Sequence, residues 1–514
     1  MTARHRPDIV LILTDQHRAD VSAREGFPLD TTPFLDELGR SGAWFDRAYT
    51  TSPLCCPART SLMTGRFPSA HRVTQNPAHP LAVRGADLFG EARAAGYATA
   101  MIGKNHTYLD ASSVDHWVEF MHDGQVAAPS EALHQEFDTW LAALRHRTHE
   151  KPTPFPVEAQ NPHRIVDEAL AWAEGVPEDR PFLLTVSIPE PHNPYQVPEP
   201  YFSLFPGESL PPTRTGADAL AGKSFPWQYL RGLGERAVVD YEGAIAPSRS
   251  NYFGMLRLID DELRRLLGGL EDRHRVRERV VVATADHGDF VGEYGLVRKG
   301  AEIPDILARV PLVISGNAVR AASAPRPEHV SLADLMPTLC EAMGRELPDG
   351  VQGRSLWPAL TGRPCPAEEF SSVYVEQGMG GLPYGPEDVA DQMPGLIFDG
   401  PDGEPRWDEL NAATQSGRRR KVRSGDWTLY ADIVGDFRLY NLREDPLELV
   451  DRWSDPVAAD ERVRLLSLLA VWQMRAEDPL PTVPGGYRLK RDPRNHLAPH
   501  RRSGGREPSS WPPS

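Results

Sequence analysis

The stretch SPLCCPARTSLMTGR, residues 52–66, sets two cysteines side by side ahead of a proline and an arginine, and holds half of the chain's four cysteines. Adjacent cysteines rarely bridge each other, and no second cysteine pair or histidine cluster lies near enough in sequence for a zinc knuckle. Two oxygen-rich pairs stand far away, Asp15 with Gln16 and Asp286 with His287. Carboxylates gathered at one place repel unless a cation lies between them. A hard divalent ion such as Ca²⁺ or Mg²⁺ suits carboxylate and amide oxygens, and the histidine widens the choice towards Mn²⁺ or Fe²⁺. The competing reading is that each pair caps a following helix. A second layer is basic: Arg59, Lys104 and His106 in GKNH, His192 in PHNPY, and Lys299 in VRKG. Around a dication these make a pocket for a tetrahedral anion, with lysine and arginine opposing its oxygens and histidine moving protons near neutral pH.

The elements that must position these groups repeat one pattern. Ile9–Leu13 is a continuous apolar run ending in TDQH, as expected of a strand covered on both faces. The segments 96–103, 181–188 and 279–285 read as strands ending in KNH, PEPHNPY and DHGD, and 310–315 reads as another. Ligands in open α/β sheets bind at the carboxyl ends of strands, which is where these polar groups fall. A helix is expected from Pro33, and Tyr252, Met255, Leu256, Ile259, Leu263 and Leu267 recur at helical spacing. Alternating strands and helices predict an α/β fold, a large mostly parallel sheet sandwiched by helices.

Beyond SLWPALTG the texture changes. Residues 378–418 are rich in Gly, Pro and Asp and read as a loop or boundary; two short strands (DWTLYADI, FRLYNL) and a helix (DERVRLLSLLAVWQMRAE) follow. This predicts a small C-terminal α+β subdomain with an antiparallel sheet. The expected division is a catalytic domain over 1–375, the subdomain over 376–488, and a disordered or partner-wrapping tail over 489–514. The formal net charge of −16 over 514 residues argues against nucleic acid and anionic membranes as partners. No apolar run approaches the ~20 residues that span a bilayer. The few cysteines suit a reducing compartment, so a cytoplasmic location is expected.

Taken in order, the motifs resemble the type I, formylglycine-dependent sulfatase family of the alkaline phosphatase superfamily. Cys55-Cys56-Pro57-Ala58-Arg59 through Thr64-Gly65-Arg66 is similar to the family's C-x-P-x-R…T-G-R motif. The blocks around Gly96–His106, PHNPY, DHGD…K and LYNLREDPLE follow in family order, so the similarity spans roughly residues 8–450. The resemblance implies an alkaline phosphatase-like fold and hydrolysis of an organic sulfate ester, on a small molecule or a saccharide, to alcohol and sulfate. It implies that a maturation enzyme oxidises Cys55 to formylglycine. Only Cys55 has proline two positions on and arginine four positions on; Cys56 is expected to stay a thiol. Pro57 fits the first turn of a helix and Gly65 its end.

The resemblance also assigns roles. Asp15, Gln16, Asp286 and His287, with modified Cys55, would hold one divalent metal, Ca²⁺ first and Mg²⁺ or Mn²⁺ as alternatives. An aldehyde hydrates to a diol, one hydroxyl attacking and the other expelling the product. Arg59 and the metal would hold its oxyanion, and Asp286 would take the attacking proton. Lys104 and Lys299 would face the transferred group's oxygens. His192 with Lys299 would protonate the leaving alcohol, and His106 would deprotonate the remaining hydroxyl. Gln16 and His287 replace the Asp and Asn of many arylsulfatases, as in branches resembling choline sulfatases and phosphonate monoester hydrolases. By analogy with the latter, Asn76 is a candidate substrate-facing group, with a turn asparagine as the alternative. After Lys299, GAEIPD lacks the family's aromatic-Glu-Glu run, so a different entrance is expected. Two further readings remain: a phosphonate monoester or phosphodiester hydrolase using the same nucleophile, and an inactive binding homologue. The histidines and aromatics of TYLDASSVDHWVEFMHDG line the entrance or pack. Oligomeric state stays open between a monomer and a homo-oligomer with a crossing tail.

Overall fold

Alternate side chains of the first strand, β1 (Asp8–Asp15), enter different cores. Ile9, Leu11 and Leu13 join one apolar cluster, while Val10 and Ile12 join another on the opposite face. Such period-two partition on a wholly apolar run places the strand inside a sheet with both faces covered. The computed structural model describes residues 6–273, 278–390, 392, 394–399 and 403–480.

The sheet has eight strands: β1, β2 (Ala43–Trp44), β3 (Ala98–Gly103), β4 (His116–Met121), β5 (Gly124–Gln125), β6 (Phe182–Pro191), β7 (Arg279–Ala285) and β8 (Leu312–Gly316). Their spatial order is β2-β8-β7-β1-β6-β3-β4-β5. The β7-β1-β6-β3-β4 run is parallel, and β8 lies antiparallel to β7. Between β7 and β8 only short turns of helix occur, at Glu293–Gly295 and Asp305–Ala308. This link carries the DHGD and Lys299 segments rather than a full crossover helix, and it returns the chain in the opposite sense.

Helices cover both faces. α3 (Asn161–Glu174) and α4 (Ile245–Arg273) lay Ile165, Val166, Ile259, Leu263 and Leu266 on the Val10/Ile12 side, where α1 (Pro33–Ser41) adds Leu35. On the other side α2 (Cys55–Thr64) contributes Ala58, Leu62 and Met63, joined by Leu335, Met336 and Leu339.

A second sheet, β9 (Val373–Gly380), β10 (Gly417–Ser424), β11 (Trp427–Asp432) and β12 (Phe437–Asn441), is antiparallel throughout. α5 (Ala459–Ala476) packs Leu465, Leu469 and Trp472 against its Val422, Leu429 and Leu439. Glu302 ties the two sheets together: it accepts hydrogen bonds from Ser224 and Trp227 in the large body and from Arg438 on β12, the last at 2.9 Å. Between β9 and β10, in the stretch read as a loop, lie a hairpin of Leu396–Asp399 with Glu404–Trp407 and a helical turn at Ala412–Gln415. The tail assigned to 489–514 lies outside the described residues. Among the described residues, no helix is long and apolar enough to cross a membrane.

Candidate active site

The central parallel strands deliver their polar ends to one place. β1 and β6 lose register between Thr14 and Asp15, and the chain leaves the sheet through Gln16 in the left-handed region, φ 66°. This turns the Gln16 N–H onto Asp286 Oδ1 at 3.0 Å, while the Asp286 N–H bonds back to the Thr14 carbonyl. The ends of two strands adjacent in the sheet are thereby tied together, which sets Asp15 and Asp286 side by side. At the end of β3, Gly103 has φ 109°, and a Cβ there would lie 1.8 Å from the Ser187 carbonyl oxygen. Only glycine admits this approach, which carries Lys104 under the sheet edge.

α2 starts at Cys55 and ends in the left-handed Gly65, φ 65°. Its preceding residue, Leu54, has no oxygen with which to cap the first turn. Asn76 does so from another segment, its Oδ1 accepting the Cys56 N–H at 2.9 Å. The Cys55 side chain therefore meets the carboxylates. Its Sγ lies 3.2 Å from His287 Nε2, 3.7 Å from Lys104 Nζ and 3.8 Å from Asp15 Oδ1.

Asp15, Cys55, Asp286 and His287 each present a ligand atom within 4.8 Å of the others. His287 Nδ1 faces the Gly288 carbonyl oxygen at 3.0 Å, which fixes that nitrogen as the N–H and turns Nε2 inward. Burial and the Asp15 charge push the Asp286 carboxyl up, against His287 and Arg59. Although burial would lower it, Asp286 and the Cys55 thiolate raise the His287 pKa. A site in which Asp286 and His287 both hold protons more tightly than usual is short of positive charge. Its donors, two carboxylates and one imidazole nitrogen, fit a hard or borderline divalent cation. Gln16 borders this set: its Oε1 accepts from Lys299 Nζ at 2.7 Å and its Nε2 donates to Asp289 at 2.6 Å.

Arg59 bridges the two carboxylates, with Nε 2.8 Å from Asp286 and an Nη 3.0 Å from Asp15, and donates to Ser187 Oγ and the Lys104 carbonyl. Lys104 donates to Asp15 and approaches His122 Nε2 at 2.7 Å. Burial would raise Asp15, but Lys104 and Arg59 hold it well below the usual carboxylate range. Burial and Asp15 also oppose ionisation of Cys55, yet Lys104, Lys299 and His287 bring the thiol down to about 6. For Cys56, one residue away, burial and the Cys55 charge push the thiol up to about 12.

Above this lies a group of imidazoles. His192 stacks on His122 with ring centroids 3.7 Å apart; His106 and His146 meet His122 edge-on at 6.2 and 5.7 Å. Burial, followed by neighbouring charges, depresses all four, His146 to about 4 and the others well below their ordinary value. They are neutral at neutral pH. The second ring of potential ligands, Asp15 with His122 and His192, encloses Lys104, whose ammonium touches both Asp15 and His122.

Every residue singled out from the sequence reaches this region. Asp15, Cys55, Arg59, Lys104, Asp286 and His287 touch directly, Gln16 and Lys299 adjoin them, His106 and His192 stand in the imidazole group, and Asn76 caps α2. Sequence reasoning missed Asp289, which holds Gln16, and Glu409, whose carboxylate lies 3.6 Å from Lys299 Nζ. It left His122 undecided between entrance and packing.

The chain was compared with known proteins. A family model described as Sulfatase matches residues 7–345. A multifunctional alkaline phosphatase superfamily protein of Trinickia caryophylli is 30% identical, over 75% of this chain and 84% of that one. An arylsulfatase of Clostridium perfringens is 27% identical over 68% of this chain and 78% of its own. Among solved structures, phosphonate monoester hydrolase of Agrobacterium radiobacter superposes with a TM-score of 0.71 at 22% identity, covering 92% of this chain and 96% of that one. That likeness speaks for the fold. With the family model spanning most of the chain, this protein belongs to the sulfatase family of sulfuric ester hydrolases, on the alkaline phosphatase-like fold.

Proposed function

We propose that the protein hydrolyses an organic sulfate ester with a hydrated formylglycine at Cys55 as nucleophile and one divalent cation, Ca²⁺ first among candidates. The carrying observation is the convergence of Cys55 with Asp15, Asp286 and His287 within 4.8 Å, under two lysines and an arginine. Asp15, Asp286 and His287, with Gln16 alongside, would hold the cation, which as a Lewis acid would lower the pKa of the nucleophilic hydroxyl. Arg59 aligns both carboxylates, holding Asp15 ionised and opposing the rise of Asp286. Lys104 and Lys299 oppose the negative oxygens of the ester. Asp286, pushed up by burial and Asp15, is the protein's own acceptor for the attacking proton. His106 is neutral and its Nδ1 is buried without a partner among the described residues, so it can take a proton from the remaining hydroxyl. His192 gives its Nδ1 proton to the Asn193 carbonyl at 2.7 Å, which leaves Nε2 for the ester. Burial, His122 and Lys299 keep it neutral; a bound anion offsets that positive field and lets His192 become the acid for the leaving alcohol.

Cys55 is 1% exposed in a helix whose every residue is buried, so a maturation enzyme must reach it before α2 docks. Metal-loaded protein co-expressed with a formylglycine-generating enzyme is expected to turn over 4-nitrophenyl sulfate. The same protein without that enzyme is expected to be inactive, and equal activity in both would refute the nucleophile.

A second reading, hydrolysis of phosphonate monoesters or phosphodiesters, draws on Asn76 at the helix terminus beside the nucleophile and on the multifunctional relative. The ratio of kcat/KM for 4-nitrophenyl sulfate and bis(4-nitrophenyl) phosphate separates the two.

A further inference from the structure

The floor of the site contains a sulfur that maturation removes, and while it is present it alters what the floor can hold. Cys55 Sγ lies 3.2 Å from His287 Nε2 and 3.8 Å from Asp15 Oδ1. His287 Nε2 lies 3.9 Å from Asp15 Oδ1 and 3.6 Å from Asp286 Oδ1. Zinc bonds to nitrogen, oxygen and sulfur are about 2.0–2.3 Å long, so a tetrahedron built on them has edges of about 3.3–3.8 Å. The four separations match those edges to within a few tenths of an ångström.

The donor atoms also present themselves correctly. Arg59 and Lys104 engage Asp15 through Oδ2, and Arg59 engages Asp286 through its Oδ2, which leaves the Oδ1 atoms on the inner side. Asp286 Oδ1 is held there by the Gln16 and His287 N–H groups at 3.0 and 2.9 Å. With Nδ1 of His287 on the Gly288 carbonyl, the lone pair of Nε2 points at the Cys55 sulfur, which donates its S–H in return. A cation entering between them takes both lone pairs, and the thiol proton leaves to solvent as the metal–sulfur bond forms. Cys56 does not compete: neighbouring side chains point about 100° apart around a helix, and its Sγ lies 3.5 Å from His79 Nδ1 instead.

One sulfur, one imidazole nitrogen and two carboxylate oxygens make a different ligand set from the one left after conversion. Thiolate and imidazole favour zinc, whereas calcium and magnesium seek six or more oxygens. Four protein ligands at the corners of a tetrahedron also close the site, with no position open to an ester. We propose that the unconverted chain binds Zn²⁺ through Cys55 Sγ, His287 Nε2, Asp15 and Asp286, and that exchange of the sulfur for oxygen turns the site towards hard, oxygen-seeking cations. A chain that escapes maturation is then a zinc protein with its nucleophile position masked. The second half of this inference rests on the formylglycine reading above; the first half rests on the thiol alone.

The test uses the full chain made without a formylglycine-generating enzyme, in medium supplying Zn²⁺ and Ca²⁺ equally, so that metal is acquired as the chain folds. Elemental analysis is expected to find zinc in excess over calcium. Chain grown on Co²⁺ in place of Zn²⁺ is expected to show a sulfur-to-cobalt charge-transfer band in the near ultraviolet. Cys55→Ser, which sets oxygen in place of sulfur, should abolish the band and lower the zinc-to-calcium ratio about tenfold or more, whereas Cys56→Ala should keep both. Melting temperatures show that each variant is folded. Calcium equal to or above zinc in the unconverted chain, no charge-transfer band, or a band that survives Cys55→Ser but is lost in Cys56→Ala overturns the zinc site. Sulfate release by the matured chain is read separately: zinc binding with no turnover faults the proposed reaction, and turnover without zinc binding faults this inference alone.

Discussion

The floor of the site and its histidine wall both border Asp15, but they are built differently. The floor, Asp15, Cys55, Arg59, Asp286 and His287, stands on two strand ends and the first turn of a helix, is at most 1% exposed, and is cross-bonded through backbone N–H groups and Arg59. The wall, His106, His122, His146 and His192, comes from connecting segments. His106 and His146 have positive φ, 48° and 64°, and the Nδ1 atoms of His106 and His122 lack partners among the described residues. A regular sheet fixes chemistry because its strand ends cannot shift without breaking the ladder. Loops set the wall, where unpaired imidazole nitrogens are left for a substrate. The floor should therefore decide whether reaction occurs, and the wall which ester reacts.

Substitutions sharpen that contrast. Cys55→Ala should remove turnover by about 10⁴-fold or more, whereas Cys56→Ala, one residue along and capped by Asn76, should stay within about twofold. Equal losses would erase the distinction between the two thiols. His287→Ala should strip the metal, read by elemental analysis of purified protein, while the melting temperature shows the fold retained; undiminished metal would remove His287 from the floor. Lys104→Ala should cost about 10²–10³-fold in kcat, or ~2.7–4 kcal/mol, for a cation facing developing charge. On the wall, His122→Phe preserves a ring for His192 to stack on but deletes the nitrogen 2.7 Å from Lys104. About a tenfold loss is expected, unequal between aryl and saccharide esters; a uniform loss would make His122 part of the floor.

The smallest effect concerns pH. His106 serves as a base only when neutral, and burial with Lys104 and Arg59 depresses its pKa. Activity should hold as pH falls through ~6.5, the ordinary imidazole value, and decline only as protonation sets in below it. An acid limb at or above that value, unchanged in His106→Gln, would deny His106 the role of base.

The floor was legible in the sequence because each part sits at a punctuation mark: apolar runs that stop at Asp15 and Asp286, and a helix framed by Pro57 and Gly65. The alternation of elements likewise announced the parallel sheet. The direction of β8 was not legible, since the link before it is long enough for either sense and the apolar run of 310–315 reads the same in both. Glu409 was hidden for a related reason. It meets Lys299 across 110 positions, from a stretch whose hairpin and helical turn carry no apolar period of their own. Asn76 was found by analogy, but its bond to the Cys56 N–H follows from Leu54 being unable to cap α2, a fact of three-dimensional placement.

The most direct measurement is mass spectrometry of the tryptic peptide spanning residues 48–59, taken from a preparation whose turnover is recorded alongside. The account requires that Cys55 has exchanged H₂S for O, leaving a single alkylatable thiol at Cys56, and that activity scales with the converted fraction. Two intact thiols in a preparation that still releases sulfate would contradict it.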